Sequence, residues 1–315
     1  MKRFNTNWKN KDKIPIVIIF GPTAVGKTQL ITALSNYNIE IINADSMQVY
    51  KYMNVGTAKP EEKLRKKIRH QLIDIVKPSY QYNVGDFVRE TEKLIPRIYR
   101  KKKIPVICGG SAYYIQSFVY GLPNSPKGNK RIRKQLQAEF QDKGKDFLYN
   151  ELKKIDPQSA KVINPHDRYR IIRALEVFKT ARRPLSSFAV PKNIRTDFKI
   201  LLLGLERDKN ELSERIEKRV DWMFKHNLIS EIKHLMALGY NENDPGMRGI
   251  GYKEFMEMQK CCYVYQDVKE RIKQNSKTFA KRQITFFKSL PQVKWIRADE
   301  HQSIIACIED FLNTY

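Results

Sequence analysis

Gly21-Pro22-Thr23-Ala24-Val25-Gly26-Lys27-Thr28 carries glycines at its first and sixth positions, then a lysine and a hydroxyl residue. That is the G-x-x-x-x-G-K-[ST] spacing of a phosphate-binding loop. The residue types explain the chemistry. Backbone N–H groups of a glycine-rich turn converge on phosphate oxygens where a helix begins. Lys27 supplies a compact positive charge, and the Thr28 hydroxyl can hold Mg²⁺. A second reactive group, Asp45, ends the run Ile41-Ile42-Asn43-Ala44-Asp45-Ser46. A carboxylate there can bind Mg²⁺, act as a general base or cap the next turn. A third group is Ser111, which follows Gly109-Gly110 after the apolar run Pro105–Cys108. The two glycines permit close backbone approach and Ser111 offers a hydroxyl. No carboxylate ends that run, although phosphate-loop hydrolases usually carry a metal-binding Asp in that place.

Two further segments suit a nucleic acid. In Arg168-Tyr169-Arg170-Ile171-Ile172-Arg173, Arg170 and Arg173 share one face of a helix. In Thr278–Lys288, Lys281, Arg282 and Lys288 can meet phosphates while Phe279, Phe286 and Phe287 can stack on a splayed base. A solvated basic face over core phenylalanines is the plainer alternative, and Phe286 and Phe287 each suit a core. Arg215 and Arg219 are four apart, with Glu211 four before Arg215. That spacing fits a surface ion-pair ladder or an anion clamp. The histidines (His70, His166, His226, His234, His301) show no metal spacing. Cys108, Cys261, Cys262 and Cys307 form no C-x-x-C pair, so reduced and mostly buried thiols are expected.

These groups need a scaffold. Short β-rich runs at Ile16–Phe20, Glu40–Asn43, Gln71–Val76 and Pro105–Cys108 alternate with helical stretches such as Thr28–Leu34 and Gly85–Arg100. The alternation predicts a parallel sheet with helices on both faces. In open sheets of that kind ligands sit at the carboxyl ends of strands, which puts Asp45 beside the phosphate loop. Gly121-Leu122-Pro123-Asn124-Ser125-Pro126-Lys127-Gly128 is a breaker cluster. Residues 130–183 after it are basic and helical in pattern and read as an insertion. Strand character returns at Phe198–Leu203, followed by amphipathic helices over 209–239, 252–260 and 266–290 and a short strand at Val293–Ile296. The fold class expected is α/β: a phosphate-loop NTPase-like parallel core over 14–125 and 196–315 with a helical C-terminal part, and a basic helical insertion over 126–195.

Composition narrows the partners. The 315 residues are 41% hydrophobic, enough for a core in one large or two modest domains. Lys and Arg number 59 against 34 Asp and Glu, a net charge of +25. Solubility needs far less, and a polyanion, with nucleic acid favoured over an anionic membrane, is the usual physical reason. Met1–Lys13 is polar and basic with no apolar run after it, and no window approaches about 18 apolar residues. A cytoplasmic protein without membrane contact is expected.

In combination these segments resemble the tRNA dimethylallyltransferases (tRNA isopentenyltransferases). The likeness runs in order through Gly21–Thr28, Asn43–Tyr50, Asn54–Pro60, His70–Asp74, Gly109–Ser111, Arg173–Val177, Met247–Tyr252 and Ala280–Gln283. The phosphate loop is generic. The Asp-Ser-x-Gln-x-Tyr, Gly-Thr-Ala-Lys-Pro and Ala-Lys-Arg-Gln runs are specific. The resemblance implies transfer of the dimethylallyl group of dimethylallyl diphosphate to N6 of adenosine 37, beside the anticodon. It accounts for the missing hydrolase carboxylate, because diphosphate leaves and no phosphoryl group moves. It implies that Gly21 to Thr28 bind the diphosphate, with Mg²⁺ on Thr28 as the cofactor. Asp45 would take a proton from the amine, Arg219 would stabilise the departing diphosphate, and Ser111 would complete the catalytic set. Asp45, Ser46, Met47 and Gln48 would meet the target adenosine region. Arg133, Tyr169, Arg170, Ile171, Ile172, Arg173, Arg248, Lys281, Arg282 and Gln283 would meet the anticodon stem-loop of tRNA. A monomer is expected. Two residues depart from the pattern: Ser111 stands where Thr is usual, keeping the hydroxyl, and Gly249 stands where Ala is common. An adenylate isopentenyltransferase and a small-molecule phosphate-loop kinase are the alternatives. The first needs neither the charge nor the insertion, and the second would ignore dimethylallyl diphosphate.

Overall fold

The computed structural model describes Phe4 and residues 13–189, 191–258 and 264–314. Two compact units divide the chain: Met1–Val119 with Arg195–Tyr315, and Tyr120–Ile194.

The first unit is built on one parallel sheet. Its strands are β1 (Ile14–Phe20), β2 (Ile39–Asn43), β3 (His70–Gln71), β4 (Ile104–Gly109), β5 (Phe198–Glu206) and β6 (Lys294–Arg297), in the spatial order β3-β2-β4-β1-β5-β6. A parallel sheet covered on both faces needs strands that are apolar on both sides. β1 and β4 meet that need, since Ile16 to Phe20 and all of β4 are buried. Val17, Ile19, Val106 and Leu203 face one core with Leu30, Leu34, Leu212, Ile216 and Ile304. On the other face Phe20 packs against Phe287, ring centroids 4.6 Å apart. Burying each such side chain contributes roughly 1.5–3 kcal/mol, so the central strands are the part of this unit least able to shift.

The crossovers supply α1 (Lys27–Ala33), α2 (Glu62–Lys67), α3 (Val84–Arg100) and α4 (Ala112–Tyr120). α3 starts where it does because Asn83 Oδ1 accepts from Gly85 N and Asp86 N while Asp86 Oδ2 accepts from Asn83 N. The second unit holds α5 (Lys130–Ile155), interrupted at Gly144, with α6 (Pro157–Val162) and α7 (Arg168–Ala181). Leu136, Leu148, Leu152, Ile171, Ile172 and Leu175 make its own small core. After β5 the first unit adds α8 (Lys209–Lys225), α9 (Leu228–Ala237), α10 (Tyr252–Met258), α11 (Tyr265–Lys288) and α12 (His301–Asn313).

One predicted strand is mostly absent. Of Gln71–Val76 only Gln71 joins the ladder, as part of β3, and Val76 makes an isolated bridge with Tyr50. Leu72 and Asp74 take positive φ (63° and 57°), which ends a strand. Asp74 instead pairs with Lys59 and Arg65 at 2.5 and 2.8 Å. No helix among the described residues is long and apolar enough to cross a membrane. Cys108 and Cys307 are free thiols, whereas Cys261 and Cys262, and the end of the predicted 252–260 helix, lie outside the described residues.

Candidate active site

Sheet register assembles the site. Phe20 stands opposite Gly109, and Asn43 opposite Cys108. Gly21, Asp45 and Ser111 therefore leave the same edge of the sheet. Their segments are stitched together there: Ala44 N donates to Cys108 O and Ser111 N to Ala44 O, at 2.8 and 3.0 Å. Ser46 N donates to Ser111 Oγ at 2.8 Å. The Ser111 hydroxyl thus holds the start of the Asp45 turn, and its own proton can still donate. The methyl group that a threonine would add is not needed for this contact.

The phosphate loop is held by its carbonyls. Lys27 Nζ donates to Gly21 O and Pro22 O, both at 2.8 Å. Arg215 Nε donates to Ala24 O and Arg207 Nε to Val25 O, both at 2.9 Å. Turning these carbonyls to cations leaves the loop N–H groups other than those of Thr23 and Val25 to face an anion. Gly26 takes φ 123°, a conformation that favours glycine, and it caps α1 with no side-chain partner. The Thr28 hydroxyl follows in the first turn and is exposed.

Electrostatics ties three groups together. Burial lowers the Lys27 ammonium to about 8, opposed by the Asp45 carboxylate and aided by Arg219. Arg219 is likewise lowered by burial and favoured in its charged form by Asp45. Arg219 Nη2 lies 3.5 Å from Thr57 O. Asp45 Oδ1 accepts from Met47 N at 2.9 Å, so the carboxylate caps its own turn. Lys27, Thr28, Asp45 and Gln48 line one cleft. Its remaining wall includes the apolar Ile31, Ile41, Pro60 and Leu64, together with His70 and Cys108. His70 Nδ1 lies 2.7 Å from Ile68 O, and burial lowers its pKa below the ordinary value. Burial raises the Cys108 thiol to about 11. A small anion tethered to a short apolar tail would meet complementary surfaces here.

The predicted site residues do not all face this cleft or solvent. Gln283, expected to meet tRNA, is 4% exposed. Its Oε1 accepts from Thr23 N at 2.9 Å and its Nε2 donates to Gly110 O at 2.7 Å. Both ends are committed to bracing the phosphate loop against the end of β4. Ile171 and Ile172, expected in the same role, are core residues of the second unit. Arg173 and Arg133 are tied down there: both donate to Glu176 Oε2, at 2.9 and 2.8 Å, and the Glu176 side chain is fully buried. Tyr169 and Arg170 are exposed, as are Arg248, Lys281 and Arg282. Arg215 makes no ladder with Glu211, which pairs with Arg207. The space beside Gly249 is filled by Met47, whose Cε lies 2.3 Å from where an alanine Cβ would stand. Sequence reasoning missed Arg207, gave His70 no role beyond the family run it belongs to, and missed Glu231. Only the partial burial of an arginine or a glutamate in three dimensions marks the first and last of these.

The family model for IPP transferase matches residues 48–290. The chain is 38% identical to the tRNA dimethylallyltransferase of Alkaliphilus oremlandii, over 91% of this chain and 93% of that protein. It is 39% identical to that of Clostridioides difficile (93% and 94% covered) and 41% identical to that of Borrelia duttonii (90% and 95%). Among solved structures it resembles the full-length tRNA isopentenylpyrophosphate transferase of Bacillus halodurans, with TM-score 0.70, 31% identity, and 96% and 98% of the two chains covered. It also resembles a eukaryotic dimethylallyltransferase acting on tRNA, with TM-score 0.79, 29% identity, and 96% and 80% covered.

Proposed function

This chain belongs to the tRNA dimethylallyltransferase (IPP transferase) family, and from that premise we propose that it transfers the dimethylallyl group of dimethylallyl diphosphate to N6 of adenosine 37 in tRNA, releasing diphosphate. The observation that carries this reading is the single cleft shared by Lys27, Thr28, Asp45 and an apolar wall. The diphosphate lies against the loop N–H groups, with Lys27 and Arg219 neutralising charge that grows as it departs. The five-carbon tail faces Ile31, Ile41 and Leu64.

N6 of adenine is a weak nucleophile, because its lone pair is delocalised into the ring. Attack on the allylic carbon makes N6 positive and more acidic. Asp45 attracts that charge and accepts the proton through an oxygen not spent on Met47 N. Gln48 Nε2, held by Thr57 O and Ala58 O at 3.2 and 3.3 Å, supports the acceptor side. Thr28 would hold Mg²⁺, with Asp45 in the same cleft. A sparse protein ligand set suits an ion that keeps several waters and rides on substrate phosphates. Bound there, the ion would neutralise diphosphate charge. The exposed Tyr169, Arg170, Arg248, Lys281 and Arg282 are the groups we assign to the tRNA.

The test is incubation of radiolabelled dimethylallyl diphosphate with tRNA, AMP or ATP as separate acceptors. Label in tRNA alone is expected. Label in AMP or ATP alone would identify a free-nucleotide prenyltransferase, and no label in any acceptor would refute the transfer.

A further inference from the structure

Met53–Pro60 runs beside the cleft without regular structure. Two of its carbonyls do the holding described above: Thr57 O and Ala58 O accept from Gln48, and Thr57 O faces Arg219. An irregular segment has no ladder of its own, so its N–H groups need partners elsewhere. Three consecutive N–H groups find one side chain. Asn54 N and Val55 N donate to Glu231 Oε2 at 2.7 Å each, and Gly56 N donates to Oε1 at 3.0 Å. Successive N–H groups converging on an anion form a nest, and charge makes each bond stronger than a neutral one.

A second element backs the carboxylate. Tyr252 Oη, from α10, donates to Glu231 Oε1 at 2.6 Å. The buried Tyr252 ring lies against Gly56, where an added Cβ would stand 2.5 Å from it. Only glycine fits that approach. From the other side Lys59 Nζ donates to Tyr50 O at 2.6 Å and to Asp74 Oδ1 at 2.5 Å. The segment is thus pinned at both ends by charges, with Glu231 taking the N–H groups.

We propose that Glu231, backed by Tyr252, is a positioning residue: it fixes Met53–Ala58 so that the Thr57 and Ala58 carbonyls hold Gln48 in the cleft wall and the Thr57 carbonyl steadies Arg219 near Asp45. Glu231 touches no reacting atom and acts through the segment. The inference rests on the prenyl-transfer reading for its kinetic consequence, but the geometry it asserts can be measured without turnover.

The experiment compares full-length wild type with Glu231→Ala, Glu231→Gln, Glu231→Asp and, as a control on the exposed face of α9, Lys233→Ala. Amide exchange at Asn54, Val55 and Gly56 should accelerate at least about tenfold in Glu231→Ala and Glu231→Gln, with the strand amides unchanged. Affinity for inorganic pyrophosphate should weaken about tenfold through loss of the Arg219 brace, and KM for dimethylallyl diphosphate should rise by a similar factor with a smaller change in kcat. Glu231→Asp should recover part of each effect, and Lys233→Ala should match wild type. Unaltered exchange at the three amides would overturn the proposal. So would a variant that merely loses active molecules, with kcat reduced while KM and pyrophosphate affinity stay at wild-type values. If wild type transfers nothing to tRNA, the prenyl reading fails by itself, and exchange with pyrophosphate affinity still decides the role of Glu231.

Discussion

Replacing Gln283 with alanine separates bracing from tRNA contact. The side chain is 4% exposed and joins two segments that sit next to the chemistry, Thr23 N through Oε1 and Gly110 O through Nε2. Alanine strands both. The Gly110 carbonyl is in a buried contact, whereas Thr23 N is only partly buried and can recruit water. An unmet buried polar group costs about 1–3 kcal/mol, so the pair should cost roughly 2–4 kcal/mol with Thr23 at the low end. At about 2–4 °C per kcal/mol for a domain of this size, the melting temperature should fall by roughly 5–15 °C. The loop it releases binds the diphosphate, so kcat/KM for dimethylallyl diphosphate should drop at least about tenfold. Affinity for tRNA at fixed salt should stay within about threefold, since no phosphate contact is removed. Gln283→Glu keeps the acceptor for Thr23 N but turns an oxygen toward Gly110 O, and should destabilise at least as much. Thermal melts, initial rates and filter binding measure the three quantities. An unchanged melting temperature together with a loss of tRNA affinity of about tenfold or more would refute the bracing argument and restore Gln283 as a tRNA contact.

Other outcomes follow from the same geometry. Asp45→Asn keeps an oxygen for Met47 N, so the turn should persist while single-turnover transfer slows by about 10²–10⁴-fold; a rate within about threefold of wild type would remove Asp45 as the base. Lys27 titrates near 8 in the folded chain against its ordinary 10.5, so between those values the unfolded chain holds more proton and this group's contribution to stability rises with pH. Diphosphate affinity should fall as pH rises through about 8, where the folded group loses its charge; pyrophosphate titrations from about pH 7 to 9.5 in wild type and Lys27→Met check this, and a flat wild-type profile would count against Lys27 as the phosphate cation. Binding to tRNA should weaken about 10³-fold or more between 50 and 200 mM salt if about six phosphates are contacted. Within the second unit Arg170→Ala should weaken tRNA without a stability change, whereas Glu176→Ala, which removes the buried carboxylate that Arg133 and Arg173 share, should cost at least about 2 kcal/mol in melts; the reverse pattern would overturn both assignments.

What the chain's own order of residues determined is local. Gly21–Thr28 fits one purpose because its glycines, lysine and threonine work within a single turn, and the apolar runs on either side show a strand entering it and a helix leaving. β1, β4 and β5 were legible for the same reason, since a strand buried on both faces is a continuous apolar run. The family likeness rests on short motifs of this local kind. Gln71–Val76 was misread because its β-rich composition hides the positive φ that Leu72 and Asp74 adopt once Lys59 and Arg65 claim the Asp74 carboxylate.

Only tertiary structure decided which polar residues serve the site by touching ligand and which serve it by holding backbone. Gln283 reaches Thr23 across 260 positions, Arg215 reaches Ala24 across 191 and Glu231 reaches Asn54 across 177. Each looks like an ordinary solvated side chain in the sequence, because a hydrogen bond to a distant backbone atom leaves no periodicity and no motif. Ile171 and Ile172 show the converse: flanked by arginines they read as part of a basic tract, yet the helix turns them about 100° per residue away from those arginines and into a core. The partners of a polar group are chosen by the packing of elements far apart in the chain, and that choice exists only once the sheet has formed.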